Sequence, residues 1–137
     1  MKTFVDTNVL VYAHDADAGD RHATAKTLLA ELWDGRNGSL STQVLQEFYV
    51  VATRKFDPPM SRREAREIVT LYGDWPTVQI DVALIVAASK LEERHRLSFW
   101  DSLIIEAAIR SGAVRLLTED LQAGRRIGGV RIENPFA

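Results

Sequence analysis

Cysteine is absent from all 137 residues, which excludes a disulfide framework, a thiolate zinc site and a cysteine nucleophile. No apolar run approaches the roughly 20 residues that span a bilayer, and no charged-then-apolar leader opens the chain. The expected setting is therefore the cytoplasm, away from any membrane. Also missing are a GxGxxG turn, a Walker-type phosphate loop, a GxSxG elbow and an HExxH pair. His14, His22 and His95 stand at no zinc-binding spacing and read as surface or loop residues. Repeats, low-complexity tracts and linkers are lacking too. What is present is ordinary: a 46% hydrophobic share is too apolar for wholesale disorder. A length near the usual 100–150 residues of a domain leads us to expect one domain over residues 1–137.

Charge is nearly balanced, at a formal −2, so the chain is no polycation that coats nucleic acid indiscriminately. The distribution is uneven. Residues 1–53 carry four Lys/Arg against seven Asp/Glu, and residues 54–137 carry thirteen against twelve. Arginine clusters at Arg54/Lys55, Arg62/Arg63/Arg66, Arg94/Arg96 and Arg125/Arg126. Any one cluster is ordinary as a solvated helix face.

Strand and helix signals alternate. Thr3-Phe4-Val5 reads as a strand ending at Asp6, followed by the apolar run Val9–Ala13 and a loop over residues 15–20. Helical spacing over about residues 21–33 stops at Gly35, Ser39-Leu40-Ser41 is a brief strand, and Ser41 or Thr42 caps a helix to about Lys55. Pro58-Pro59 breaks the chain before a capping box at Ser61 opens a helix to about Tyr72. Thr77–Ile80 reads as a strand, Asp81 caps a helix to about Arg94, and Ser98 opens another that closes at Gly112. Val114–Leu117 and Val130–Glu133 are strands, with a turn or short helix at Leu121–Gly124. Such alternation predicts an α/β sandwich around a mainly parallel sheet, with any site at the carboxyl ends of the strands.

Four carboxylates sit where carboxylates are costly. Asp6 directly follows the first strand, and Asp120 follows the strand ending at Leu117. Glu47 shares a helical face with Val44, Val50 and Val51, and Asp101 shares one with Ile104, Ile105 and Ala108. Each also has an ordinary structural reading. Asp6 is placed to cap the next helix, and Asp101 stands three residues after Ser98, as a capping-box acid does. Glu47 is in range of Arg54, and Asp120 suits a turn. If the four converge, their mutual repulsion holds protons on some of them unless a cation is present. Oxygen ligands without His or Cys suit Mg²⁺ or Mn²⁺, and such a site hydrolyses phosphodiesters.

Phe4-Val5-Asp6-Thr7-Asn8-Val9-Leu10, Gln46-Glu47-Phe48, Leu97 to Ile104 and Leu117-Thr118-Glu119-Asp120 resemble the four motif regions of PIN-domain nucleases. Among these, the toxin ribonucleases of VapBC-type toxin–antitoxin systems are the nearest in pattern, and the Asn134-Pro135-Phe136 ending is also similar. The resemblance implies a three-layer PIN-like fold of short strands and an Mg²⁺- or Mn²⁺-dependent endoribonuclease. Asp6, Glu47, Asp101 and Asp120 would form its metal site, oriented by Asn8 and Thr118, with Glu119 facing solvent. It implies a homodimer, RNA as substrate, and a small VapB-like antitoxin inserted into the active-site groove. Trp33, Phe48 and Tyr49 are candidates for that contact, or for the core.

Two other readings stand beside this one. In a haloacid-dehalogenase-like phosphatase Asp6 would be the nucleophile, but that pattern has an acid where this chain has Asn8, and a late lysine where none follows Lys90. In a non-catalytic module binding RNA or protein, the acids would be caps alone.

Overall fold

The computed structural model describes all residues, Met1–Ala137. In chain order the elements are β1 (Thr3–Val5), α1 (Thr7–His14), a 3-10 turn (Ala16–Ala18), α2 (Asp20–Gly35), β2 (Gly38–Ser41), α3 (Thr42–Arg54), α4 (Arg62–Tyr72), β3 (Thr77–Val78), α5 (Val82–His95), α6 (Phe99–Arg110), β4 (Arg115–Leu117), β5 (Arg126–Ile127) and β6 (Val130–Glu133). The six strands form one sheet in the order β3-β2-β1-β4-β6-β5. All neighbours are parallel except β5 with β6.

This order fixes the layers. From β1 the chain steps outward to β2 and β3, then returns to place β4 on the other flank of β1. Right-handed crossovers in opposite directions put α1–α4 on one face of the sheet and α5 with α6 on the other. Between β1 and β4 the chain direction switches, and at such a point the carboxyl ends of neighbouring strands leave a crevice. β1 is covered on both faces, so Phe4 and Val5 are both fully buried and the strand reads as a continuous apolar run. They belong to one hydrophobic cluster of 30 buried residues that also takes in Leu10, Leu40, Phe48, Ile105 and Leu117.

Helix starts follow the side-chain signals. Ser41, Ser61, Asp81 and Ser98 accept hydrogen bonds from the backbone N–H groups of Val44, Glu64, Leu84 and Asp101, as N-caps do. The strand expected over Thr77–Ile80 is shorter, because the Ile80 N–H donates to the Thr42 hydroxyl at 3.3 Å rather than to a ladder. At Leu121–Gly124 the chain takes the turn and not the helix. The unexpected strand β5 arises from Gly128-Gly129, whose φ angles of +55° and +82° make a two-residue hairpin turn into β6.

Candidate active site

Asp6 leaves β1 at the crevice beside β4 and is only 5% exposed. One carboxylate oxygen accepts the Thr7 N–H at 2.6 Å, capping α1, and the other accepts the Thr118 hydroxyl at 2.8 Å. The capping role is therefore real and occupies half of the carboxylate. Both bonds favour the charged form, but burial outweighs them, and Asp120 and Glu47 add repulsion, so the Asp6 carboxyl is pushed up to about 6.

Thr118 joins the two strand-end acids. Fully buried after β4, its hydroxyl donates to Asp6 and accepts the Asp120 N–H at 3.1 Å. Asp120 stands on the exposed rim. Its carboxyl is raised above the ordinary carboxylate range, first by partial loss of water and then by Asp101 and Glu119, while the nearby Asn8 amide opposes the rise. The Asn8 Oδ1 is buried with no partner, an unspent acceptor beside the acids.

Glu47 departs from the expected apolar face. The buried stripe of α3 runs through Val44, Leu45, Phe48 and Ala52, and both Glu47 and Val50 are exposed. The helix is apolar on more than one side because α3 packs against α1 and α4 as well as the sheet. Glu47 is nevertheless held toward the crevice, with its Oε1 accepting the Thr7 hydroxyl at 2.8 Å. Asp101, half-buried in the first turn of α6, gives its N–H to the Ser98 hydroxyl. No bond returns from the Ser98 N–H, so the box is half made and the carboxylate remains free toward Asp120.

Glu119 is not a solvent-facing bystander. Its carboxylate accepts the Tyr12 hydroxyl and the Arg21 Nε, each at 2.6 Å, and these bonds hold it below the ordinary carboxylate range. Tyr12 in turn packs edge-on against Phe136 at 5.2 Å. The turn that carries Thr118 and Asp120 is thus clamped to α1, α2 and the C-terminal segment. Sequence reasoning missed Thr7, Tyr12 and Arg21, whose partners lie 40, 107 and 98 residues away.

No three His, Cys, Asp or Glu side chains stand close enough to enclose an ion. The donors are all oxygen, however, and two raised carboxyls beside an orphaned amide oxygen mark a deficit of positive charge. That arrangement does not fit a tightly chelated zinc, and it fits a hard ion that keeps several waters and takes one or two carboxylates. The histidines take no part: His14 meets the Tyr72 hydroxyl, His22 the Tyr12 carbonyl, and His95 Arg125. Among the aromatics, Phe48 is fully buried and Trp33 packs on Tyr72 and Trp75. Tyr49 lines a groove of about 490 Å³ between α3 and α4, with Leu45, Val50 and Val69.

Comparison with known proteins bears on this geometry. The family model described as the PIN domain matches residues 3–127. No curated protein sequence matches the chain. Solved structures are similar in fold. A toxin–antitoxin complex from Klebsiella pneumoniae gives a TM-score of 0.70 at 21% identity, with 98% of each chain covered. VapBC2 from Rickettsia felis, bound to a DNA fragment from the promoter of the pair, gives 0.66 at 18% identity, again with 98% of each chain covered. VapC20 from Mycobacterium tuberculosis, a toxin that cleaves the sarcin–ricin loop, gives 0.65 at 21% identity over 84% of this chain and 87% of that one.

Proposed function

Because the chain belongs to the PIN-domain family, we propose that it is a metal-dependent endoribonuclease and the toxin of a toxin–antitoxin pair, formed by a single domain over residues 1–137. The observation that carries this reading is the junction at the switch point. There Thr118 bridges Asp6 to Asp120, and both carboxyls are raised by burial and by neighbouring acids.

Asp6 and Asp101 are the ligands we assign to Mg²⁺ or Mn²⁺, with Glu47 and Asp120 reached directly or through water. When bound, the ion supplies charge neutralisation and Lewis acidity toward phosphate oxygens and water. Thr118 and Thr7 hold the Asp6 and Glu47 carboxylates in fixed directions, and the Asn8 amide, whose nearness opposes the rise of the Asp120 carboxyl, is assigned to orient Asp120. These are orienting roles of the kind that outer partners of ligands play. RNA as substrate and an antitoxin as inhibitor are supported by what the similar structures are: a loop-cleaving toxin and toxin–antitoxin assemblies. The apolar groove at Tyr49 suits an antitoxin segment that then reaches the acids. A homodimer, complexed with antitoxin in the cytoplasm, completes the reading.

The phosphatase alternative loses support from its missing partners: Asn8 stands two residues after Asp6 where that chemistry wants a second acid, and no lysine follows Lys90 to meet the phosphate. The decisive experiment incubates a labelled structured RNA with the protein and Mg²⁺ or Mn²⁺, then with excess chelator, beside Asp6→Ala and Asp101→Ala. Cleavage that requires the metal and disappears in both variants is expected. Cleavage by neither wild type nor variants across several RNAs, with equally poor metal binding, overturns the nuclease reading in favour of caps on a binding module.

A further inference from the structure

Two arginine clusters separated by Pro58-Pro59 in the sequence meet in space. α3 ends at Arg54, and the chain reverses with the Met60 N–H donating to the Ala52 carbonyl at 2.9 Å. α4 then begins at Arg62. Between the two helix ends lies a cleft of about 610 Å³ lined by Tyr49, Thr53, Arg54, Met60, Ser61 and Arg62.

The cleft is built for an anion. No carboxylate lines it. Each of the five ion pairs in the chain engages an arginine, and neither Arg54 nor Arg62 is among them. The Tyr49 and Ser61 hydroxyls donate to nothing and add two free donors, Ser61 only accepting the Glu64 N–H, whereas the Thr53 hydroxyl donates to the Tyr49 carbonyl. Two guanidiniums facing one cleft repel each other until an anion enters, and their planar forks match phosphate oxygens.

Position selects the anion. Arg54 follows Glu47 by seven residues on α3, which puts both on one face and about 10 Å apart along the axis. A polyanion with one phosphate at the acid cluster and its chain laid along α3 therefore reaches Arg54. A free phosphate has no reason to be placed there. We infer that the cleft at Arg54 and Arg62 binds a backbone phosphate of the RNA strand, next to the phosphate that is cut. This rests on the nuclease reading above.

The test measures binding of a labelled single-stranded RNA by fluorescence anisotropy, with Ca²⁺ in place of Mg²⁺ to suppress cleavage, over a range of salt. Arg54→Ala/Arg62→Ala is expected to weaken binding about tenfold. It also flattens the slope of log K against log salt by about 0.7 for each phosphate that is no longer neutralised. Arg54→Lys/Arg62→Lys recovers most of the salt slope, and Arg126→Ala on β5 changes neither quantity. In Mg²⁺, KM for cleavage rises while kcat stays within about twofold, as for weakened uniform binding. Unaltered RNA affinity in a double variant with a wild-type urea midpoint overturns the inference, even if that variant has lost a protein partner. RNA binding that depends on the two arginines without any cleavage overturns the nuclease reading and leaves the phosphate cleft standing. No RNA binding by the unsubstituted chain overturns both.

Discussion

With one oxygen on the Thr7 N–H and the other on the Thr118 hydroxyl, Asp6 is bonded as an anion yet buried as a neutral group. Its carboxyl, pushed from 3.8 to about 6, holds more protons in the folded than in the unfolded chain between those values. Folding stability from this group is therefore complete below about pH 4 and is lost as pH rises through 6. Asp120 acts in the same sense, whereas Glu119 and Asp81, both lowered, act oppositely and lose stabilising charge as pH falls. Comparison with Asp6→Asn isolates the one residue. In chelator, urea unfolding is expected to show the variant gaining on wild type by about 3 kcal/mol between pH 4 and pH 7.5, while its RNA cleavage is lost. Parallel pH profiles for the two proteins would mean that Asp6 carries no such burden of burial. All four acids were legible singly, from their places after strands and on helices. That Thr118 would tie two of them together was legible only through the motif resemblance, because the bond spans 112 residues.

Helices were the most readable elements, since their starts depend on neighbours three residues apart. Ser98 illustrates this: its hydroxyl accepts the Asp101 N–H at 3.1 Å and opens the helix that carries a candidate ligand. Ser98→Ala is expected to cost about 1 kcal/mol in urea unfolding and to fray the turn holding Asp101, so metal affinity falls by more than stability alone explains. A loss of stability with unchanged Mn²⁺ affinity would confine Ser98 to a capping role. What periodicity could not assign was the side of α3 on which Glu47 stands. An α-helix touching two helices and a sheet buries a broad sector, and an acid at its edge has apolar neighbours in sequence although its own carboxylate is exposed. β5 escaped notice for a related reason. Two residues, one of them an exposed arginine, carry no alternation, and only the Gly128-Gly129 turn betrays the hairpin.

At the scale of the whole molecule, net charge of −2 conceals a polar arrangement. Acids gather at the strand ends around Asp6, and unpaired arginines line the far end of α3. A cation that binds only the folded arrangement stabilises it by mass action. We expect saturating Mn²⁺ to raise Tm at pH 7.5, to do so much less at pH 4.5, where Asp6 is protonated, and to have little effect on Asp6→Asn. Equal shifts from NaCl at matched ionic strength would assign the effect to screening. The topology has a temporal consequence as well. β1 is made first, but one of its two partners in the sheet is β4, and Asp6 waits for a hydroxyl that the ribosome adds 112 residues later. Pairings so remote in sequence form late. A half-synthesised chain therefore carries Asp6 and Glu47 without Asp101, Thr118 or Asp120, and a cell translating this protein is not exposed to the assembled acid cluster until the polypeptide has grown past residue 120.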